Sequence, residues 1–177
     1  ALAEGGVDVL LFETYPDLSE LLIGINVARR VAPDIPIWAS MAFIEGKTLL
    51  GNDPEECSRA LSDEGILIAG ANCGRGPREI LDAAKQIGKV FPKFVSALPN
   101  AGQPTFVDGR FVYPATPDYF ATFARRAVSA GINIVGGCCG TTPEHIQRIS
   151  SAIGGLRPRK RKMVSGIRLR EKTPIRK

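Results

Sequence analysis

The chain has 177 residues, of which 44% are hydrophobic and 23% charged, and its formal net charge is +5. This composition is ordinary for a globular protein, and the length suits one domain. No run of about 18 apolar residues occurs, which excludes a transmembrane helix, and the first residues lack the basic region of a signal peptide. We therefore expect a cytoplasmic protein that does not bind a membrane.

The positive charge is concentrated at one end of the chain. Residues 1–155 hold 13 Lys/Arg and 17 Asp/Glu, whereas residues 156–177 hold 10 Lys/Arg and one acid. We predict a mildly acidic domain over residues 1–155 and a solvated basic tail or linker over residues 156–177. Because the tail has no aromatic residue to stack on bases, we do not expect nucleic acid as a partner.

Short apolar runs alternate with helical patterns along the whole chain. In chain order we predict a strand at 7–13, a helix at 17–32, a strand at 35–43, a helix at 53–65, a strand at 66–73, a helix at 77–91, a strand at 93–100, a β-hairpin within 101–116, a helix at 117–131, a strand at 132–139 and a helix at 143–154. Asp17 and Asp53 are predicted helix N-caps, and Asp108-Gly109 is the predicted hairpin turn. The chain also opens in mid-unit, with the end of a helix running into the first strand.

Five βα units in strict alternation predict an α/β fold with a parallel sheet and right-handed crossovers. The strands read as continuous apolar runs without alternation, as expected when both faces of a sheet are covered. A doubly wound sheet and part of a (β/α)8 TIM barrel both fit this pattern. The opening in mid-unit favours the partial barrel, and we expect the chain to be part of a longer protein.

Three of the four cysteines follow predicted strands. Cys73 ends the third strand, and Cys138 and Cys139 end the fifth, so parallel pairing brings them to one edge of the sheet. Three thiolates can hold Zn²⁺ and leave a fourth position open, as in a catalytic zinc site. Cys57 lies inside a helix and is expected to be buried, and His145 is expected at the surface or behind the site.

Other interpretations of the cysteine pair remain open from the residues alone. The glycine-rich turn around Cys138 and Cys139 has the outline of a phosphate-binding loop at a helix N-terminus. Adjacent cysteines could also form a redox pair, and any single cysteine could be a small buried hydrophobic residue.

Three motifs resemble those of the homocysteine S-methyltransferase domain: "GANC" at 70–73, "PNAG" at 99–102 and "GGCCGTTPEHI" at 136–146. "FET" at 12–14 and "VYPATPDYF" at 112–120 resemble the branch of cobalamin-dependent methionine synthase and of bacterial fusions with methylenetetrahydrofolate reductase. The resemblance covers about residues 1–153 and implies a (β/α)8 barrel of which strands 4 to 8 and their helices are present. Activity is then expected of a longer protein rather than of this part alone.

The resemblance also implies a site and a reaction. Cys73, Cys138 and Cys139 would be the zinc ligands, and Asn100 would approach the metal when substrate is absent. Glu13 would hold the homocysteine amino group, while Asn72 and the backbone at Ala101 would contact the amino-acid end of the substrate.

The implied reaction transfers a methyl group to the thiol of homocysteine, forming methionine. The donor would be methylcobalamin or methyltetrahydrofolate, S-methylmethionine or betaine, with cobalamin or folate carried by other domains, including a C-terminal reductase or cobalamin domain. A zinc- or thiol-binding barrel fragment without turnover and a phosphate-binding barrel enzyme are the alternatives.

Overall fold

Five parallel strands form the central sheet of the computed structural model, which describes residues 1–164. They are β1 (Leu10–Tyr15), β2 (Ile37–Ala42), β3 (Ile68–Cys73), β4 (Phe94–Pro99) and β7 (Ile134–Val135), and they lie in the order β1-β2-β3-β4-β7. The strands β5 (Thr105–Val107) and β6 (Arg110–Val112) form a separate hairpin. The helices are α1 (Leu18–Val31), α2 (Pro54–Asp63), α3 (Pro77–Val90), α4 (Pro117–Ser129) and α5 (Pro143–Ile153). The predicted α/β fold with a partial barrel is confirmed.

Local sequence signals account for the helix starts. The Asp17 carboxylate accepts a hydrogen bond from Ser19 N at 2.7 Å, and the Asp53 carboxylate accepts one from Glu56 N at 2.8 Å, so both predicted N-caps are confirmed. Proline occupies the first turn of α2, α3, α4 and α5, where its missing N–H costs no helical hydrogen bond. These caps place each helix start directly after a strand or its loop.

The two faces of the sheet differ in character. On the inner face, Trp38 Nε1 donates to Ser96 Oγ at 2.9 Å, and Ser40 Oγ donates to Asn72 Oδ1 at 2.8 Å. Gly70 lies between these groups, and a Cβ added there would be 1.8 Å from Ser96 Oγ. Both faces of the middle strands are buried, as expected, but the inner face carries small and polar side chains that hydrogen-bond across strands.

The outer face carries the apolar core. Alternate residues of the strands pack against the buried sides of the helices and are closed off from water. The largest fully buried side chains are Phe43, Phe91, Phe120, Leu21, Ile25, Met41, Leu61, Ile66, Ile80, Ile87, Ile132 and Val90. Cys57 belongs to this core with 1% of its surface exposed, as predicted.

The last strand is much shorter than predicted. β7 spans only Ile134–Val135, whereas the predicted strand ran from 132 to 139. Cys138 and Cys139 therefore belong to a loop and not to a strand end. Gly136 N and Cys138 N still donate to β4, to Ala97 O at 3.3 Å and Pro99 O at 2.8 Å, but the chain between them leaves the regular ladder. We call residues 136–142 the cysteine loop.

The start of the basic segment crosses the sheet's amino-terminal edge, with Arg161 half-buried and the other residues exposed. We call residues 156–164 the basic strap. Its backbone donates from Arg159 N to Val128 O at 3.2 Å and from Val164 N to Lys89 O at 2.9 Å. The Arg161 guanidinium donates to the carbonyls of Gly131 (2.6 Å), Phe91 (3.2 Å) and Lys93. The rest of the predicted tail, 165–177, lies outside the described residues.

Within residues 1–164, the longest helices are too short and too polar to cross a bilayer.

Candidate metal centre

Three sulfur atoms converge at the carboxyl edge of the sheet. The Sγ atoms of Cys73, Cys138 and Cys139 all lie within 4.8 Å of one another, and those of Cys138 and Cys139 are 3.9 Å apart. All four cysteines of the chain are free thiols. The structure thus brings together the three cysteines that the sequence placed after strands and leaves Cys57 apart from them.

A strained backbone conformation at Cys73 sets the direction of its side chain. Cys73 has φ 67°, in the left-handed region that a non-glycine residue seldom adopts, and Gly74 follows with φ 63°. The two residues turn the chain sharply at the end of β3. Such strained positions cluster at functional sites, where the surrounding structure holds them.

The Asn100 side chain holds the two cysteine-bearing segments together. Its Nδ2 donates to Gly74 O at 2.8 Å and lies 3.4 Å from Cys73 Sγ. Its Oδ1 accepts from Cys139 N at 2.9 Å. Asn100 is 7% exposed. One buried amide thus fixes the distance between the end of β3 and the cysteine loop.

Asn72 makes a second buried connection, toward β1. Its Oδ1 accepts from Thr14 N at 3.0 Å and from Ser40 Oγ, while its Nδ2 donates to Thr14 Oγ1 at 2.6 Å and lies 3.9 Å from Cys138 Sγ. Thr14 is β-branched and has φ 63°, so this pair of hydrogen bonds holds a strained residue in place.

The predicted substrate residues differ in how much of their hydrogen-bonding capacity is used. Ala101 is buried; its N donates to Cys139 O at 2.8 Å, and its O accepts from Ala115 N at 2.9 Å. Asn72 is similarly committed to protein partners. Glu13 instead lies exposed in the irregular part of β1, beside Thr14. The substrate contacts of Glu13, Asn72, Asn100 and Ala101 stay predictions.

The cysteine loop is poorly suited to phosphate. A phosphate-binding turn needs several free backbone N–H groups pointing at the anion. Here Cys138 N and Cys139 N donate to Pro99 O and Asn100 Oδ1. Thr141 N donates to Cys138 O at 3.2 Å, and Thr142 N donates to His145 Nδ1 at 3.1 Å. Four donors of the loop are therefore used internally, which favours a metal site over a phosphate loop.

The clustered sulfurs disfavour ionisation without a metal. Partial burial, followed by the neighbouring sulfurs of Cys138 and Cys73, raises the pKa of Cys139 to about 11. Removing protons from adjacent thiols places negative charges side by side, which costs free energy unless a cation compensates them. The Cys139 thiol is thus protonated near neutral pH, and a soft divalent cation would favour its ionised form.

The donor set fits Zn²⁺. With Zn–S bonds of about 2.3 Å, sulfurs around a tetrahedral ion lie about 3.8 Å apart. The observed separation of 3.9 Å between Cys138 and Cys139 meets this requirement, and Cys73 needs a movement of less than one bond length. Three cysteine ligands would leave one position of a tetrahedral ion open.

The sequence analysis placed His145 at the surface or behind the site, and its burial excludes the surface position. It is 7% exposed, and its Nε2 lies 3.0 Å from Ala115 O. Its ring also packs edge-on against Phe120, with centroids 5.0 Å apart. The signal was its place at the third position of a capping box, where glutamate or glutamine is usual.

The family model for homocysteine S-methyltransferase matches residues 1–153, which include every residue of this centre. The chain belongs to the homocysteine S-methyltransferase family. Two methionine synthases are similar: that of Mycobacterium tuberculosis is 32% identical over 162 residues, and that of Mycobacterium leprae is 33% identical over 158 residues. The alignments cover 88% and 86% of this chain but only 14% and 13% of those proteins.

Solved structures of the homocysteine S-methyltransferase fold agree with the partial barrel. The homocysteine methyltransferase MmuM from Escherichia coli superposes in its oxidized form with a TM-score of 0.68 at 21% identity, over 85% of this chain and 47% of that chain. Its apo form superposes with a TM-score of 0.66 at 23% identity, over 85% of this chain and 52% of that chain. The sheet and helices described above therefore correspond to about half of a complete barrel of this fold.

Proposed function

We propose that this chain supplies the metal-binding part of an enzyme that transfers a methyl group to the thiol of homocysteine, forming methionine. The observation that carries the proposal is the convergence of Cys73, Cys138 and Cys139 within 4.8 Å, in a chain of the homocysteine S-methyltransferase family. The chain spans about one seventh of the methionine synthases that it matches, so the activity proposed is that of the whole protein.

Each residue of the centre has a defined task in this proposal. The three cysteines would hold Zn²⁺, and Asn100 and Asn72 would keep their sulfurs in place. When bound, Zn²⁺ would lower the pKa of a substrate thiol, whose ordinary value is near 8.5, and keep it as a nucleophilic thiolate. Glu13 is exposed at the same edge of the sheet and would bind the amino group of homocysteine.

The proposal also includes the methyl donor and the other domains of the full-length protein. Methylcobalamin or methyltetrahydrofolate, S-methylmethionine and betaine are the candidate donors, and a cobalamin or reductase domain would accompany the first two. We propose a cytoplasmic protein in which residues 1–155 form the C-terminal part of the barrel and residues 156–177 a basic tail or linker. Supplying each donor in turn to the full-length protein with homocysteine, and measuring methionine formed, separates these cases.

Metal analysis of the full-length protein tests the zinc centre directly. Cys138→Ala removes one ligand and is expected to lose most of the bound Zn²⁺, whereas the matched Cys57→Ala removes a cysteine from the core and keeps the metal. Equal zinc in Cys138→Ala and the unaltered protein would refute the assignment. Zinc retained without methionine formation from any donor would instead support a binding module without turnover.

A second variant separates substrate binding from metal binding. Glu13→Gln removes the negative charge but keeps the shape of the side chain. We expect a higher KM for homocysteine, a smaller effect on kcat and unchanged zinc content. Loss of zinc in Glu13→Gln would show that Glu13 serves the metal centre instead.

A further inference from the structure

The only histidine of the chain lies behind the metal centre with both ring nitrogens engaged. Nδ1 accepts a hydrogen bond from Thr142 N at 3.1 Å, which caps the first turn of α5. Nε2 lies 3.0 Å from Ala115 O, and a carbonyl oxygen can only accept. The hydrogen-bond network therefore places the ring proton on Nε2.

These hydrogen bonds belong to a closed circuit that includes a cysteine. Ala115 N donates to Ala101 O at 2.9 Å, and Ala101 N donates to Cys139 O at 2.8 Å. Cys139 is joined along the chain to Thr142, which returns to His145. His145 is the one side chain in this circuit that connects the far end of the cysteine loop to the segment before α4.

Packing reinforces the same connection. The Tyr113 ring lies against Gly140, where an added Cβ would be 2.1 Å from Tyr113 Cγ. Tyr113 and Ala115 belong to one short segment, so the segment that His145 grips also presses on the middle of the cysteine loop. A shift of α5 away from Ala115 would therefore release the loop as well as the helix cap.

We propose that His145 is a positioning residue for the metal centre: by donating from Nε2 to Ala115 O, it holds the cysteine loop so that Cys138 and Cys139 stay within ligand distance of Cys73. The inference rests on the proposed function only in taking the three cysteines as metal ligands. His145 itself does not contact the metal or the substrate.

Two conservative substitutions separate the two ring nitrogens. In His145→Gln, the side-chain amide N can reach the place of Nε2 and donate to Ala115 O. In His145→Asn, an acceptor for Thr142 N remains, but the side chain is too short for Ala115 O. Gln147→Asn, on the exposed side of α5, is the matched control.

The readouts are Zn²⁺ affinity and the thiolate-to-metal charge-transfer band of the Co²⁺-loaded full-length protein. We expect His145→Asn to lose roughly tenfold in Zn²⁺ affinity and to shift the band, as replacing a group that orients ligands does. His145→Gln is expected to stay within about threefold of the unaltered protein, as is Gln147→Asn. If the affinities of His145→Asn and His145→Gln fall equally, or neither falls, the inference is wrong.

Amide hydrogen exchange on the metal-free protein keeps this result distinct from the zinc proposal. We expect faster exchange at residues 138–142 in His145→Asn than in His145→Gln, with Gln147→Asn unchanged. Failure of the unaltered protein to bind Zn²⁺ would refute the proposed function, and the exchange rates would still decide whether His145 holds the cysteine loop. Equal exchange in the two His145 variants would overturn the inference even if zinc binds.

Discussion

Individual side chains, rather than regular secondary structure, hold the metal centre. Asn100 and Asn72 each place a buried amide between segments that carry cysteines or strained residues, and together they use nearly all of their donors and acceptors on protein groups. A buried amide left without partners costs about 1–3 kcal/mol, so each of these residues is under strong packing and hydrogen-bonding constraint.

Cys57 shows how differently a cysteine behaves away from the centre. Burial, followed by the nearby carboxylates of Glu56 and Asp53, raises the pKa of the Cys57 thiol to about 12. Between its ordinary pKa near 8.5 and pH 12, the unfolded chain loses this proton while the folded protein keeps it. The free energy of unfolding should therefore fall as pH rises through this range.

Urea denaturation at pH 7.5 and pH 10 checks this expectation. The loss of stability between the two pH values should be about 2 kcal/mol larger in the unaltered protein than in Cys57→Ala. The cavity left by Cys57→Ala destabilises the protein at both pH values and cancels in this difference. An equal pH dependence in the two proteins would contradict the raised pKa.

The cysteine loop depends on close approach between two elements. Gly140 has φ 75°, and its missing side chain makes room for the ring of Tyr113 at the end of the β5–β6 hairpin. Gly46 offers a matched comparison, because it has φ 76° but open space where a Cβ would lie. A side chain at either position would therefore meet the same left-handed backbone conformation, but only at position 140 would its Cβ overlap another residue.

Alanine at these two positions separates backbone strain from overlap. Gly46→Ala should cost about 1 kcal/mol from the left-handed conformation alone. Gly140→Ala should cost about 1–3 kcal/mol more and weaken zinc binding, and adding Tyr113→Ala should restore part of both. Thermal denaturation and metal titration are the measurements. Equal losses of stability in Gly46→Ala and Gly140→Ala would show that overlap with Tyr113 does not contribute.

The Arg161 guanidinium and two backbone hydrogen bonds hold the basic strap at the opposite edge of the sheet. Arg161 donates to main-chain carbonyls from the ends of α3 and α4 and to Asn133 Oδ1 at 2.9 Å. Gly131 has no side chain where an added Cβ would be 2.5 Å from Arg161 Cγ, so the strap lies directly on the turn before β7. The positive charge of this segment thus serves partly to bind the protein's own carbonyl groups.

Replacing Arg161 measures what this anchoring contributes. Arg161→Ala should lower the free energy of unfolding by about 2 kcal/mol, because several carbonyls lose a charged donor. Lys160→Ala, on an exposed neighbour, should stay within about 0.5 kcal/mol of the unaltered protein. Chemical denaturation of both variants gives the comparison, and an Arg161→Ala protein as stable as Lys160→Ala would show that the strap adds nothing.

For the molecule as a whole, the metal is expected to be dispensable for folding. The segments that carry the cysteines are tied together by Asn100, Ala101 and His145, and the core lies on the other face of the sheet. This differs from small zinc domains, which unfold when the metal is removed. In the full-length protein, a chelator that removes the proposed zinc should leave the far-ultraviolet circular dichroism unchanged while abolishing the proposed activity. Loss of helical signal on chelation would contradict this.

The sequence predicted the order of strands and helices well because each helix begins with a local signal, an N-cap side chain or a proline in its first turn, and each strand lies in a short, mostly apolar run. It also predicted that Cys73, Cys138 and Cys139 meet, because parallel strands end at one edge. It did not predict that β7 stops at Val135, since the departure of the cysteine loop depends on hydrogen bonds to Asn100 and Ala101. The burial of His145 and the docking of Arg161 likewise depend on hydrogen bonds to carbonyl groups that are distant in sequence. The hydrophobic periodicity of the sequence does not predict such contacts.

The order of strands in the sheet separates the two parts of the proposed site. The three sulfurs and Asn100 come from the end of β3 and from the segments that follow β4 and β7, which are consecutive neighbours, whereas Glu13 lies in β1 at the edge of the sheet. Under the proposed function, metal binding and amino-acid binding would therefore depend on different strands, and a variant could lose one while keeping the other.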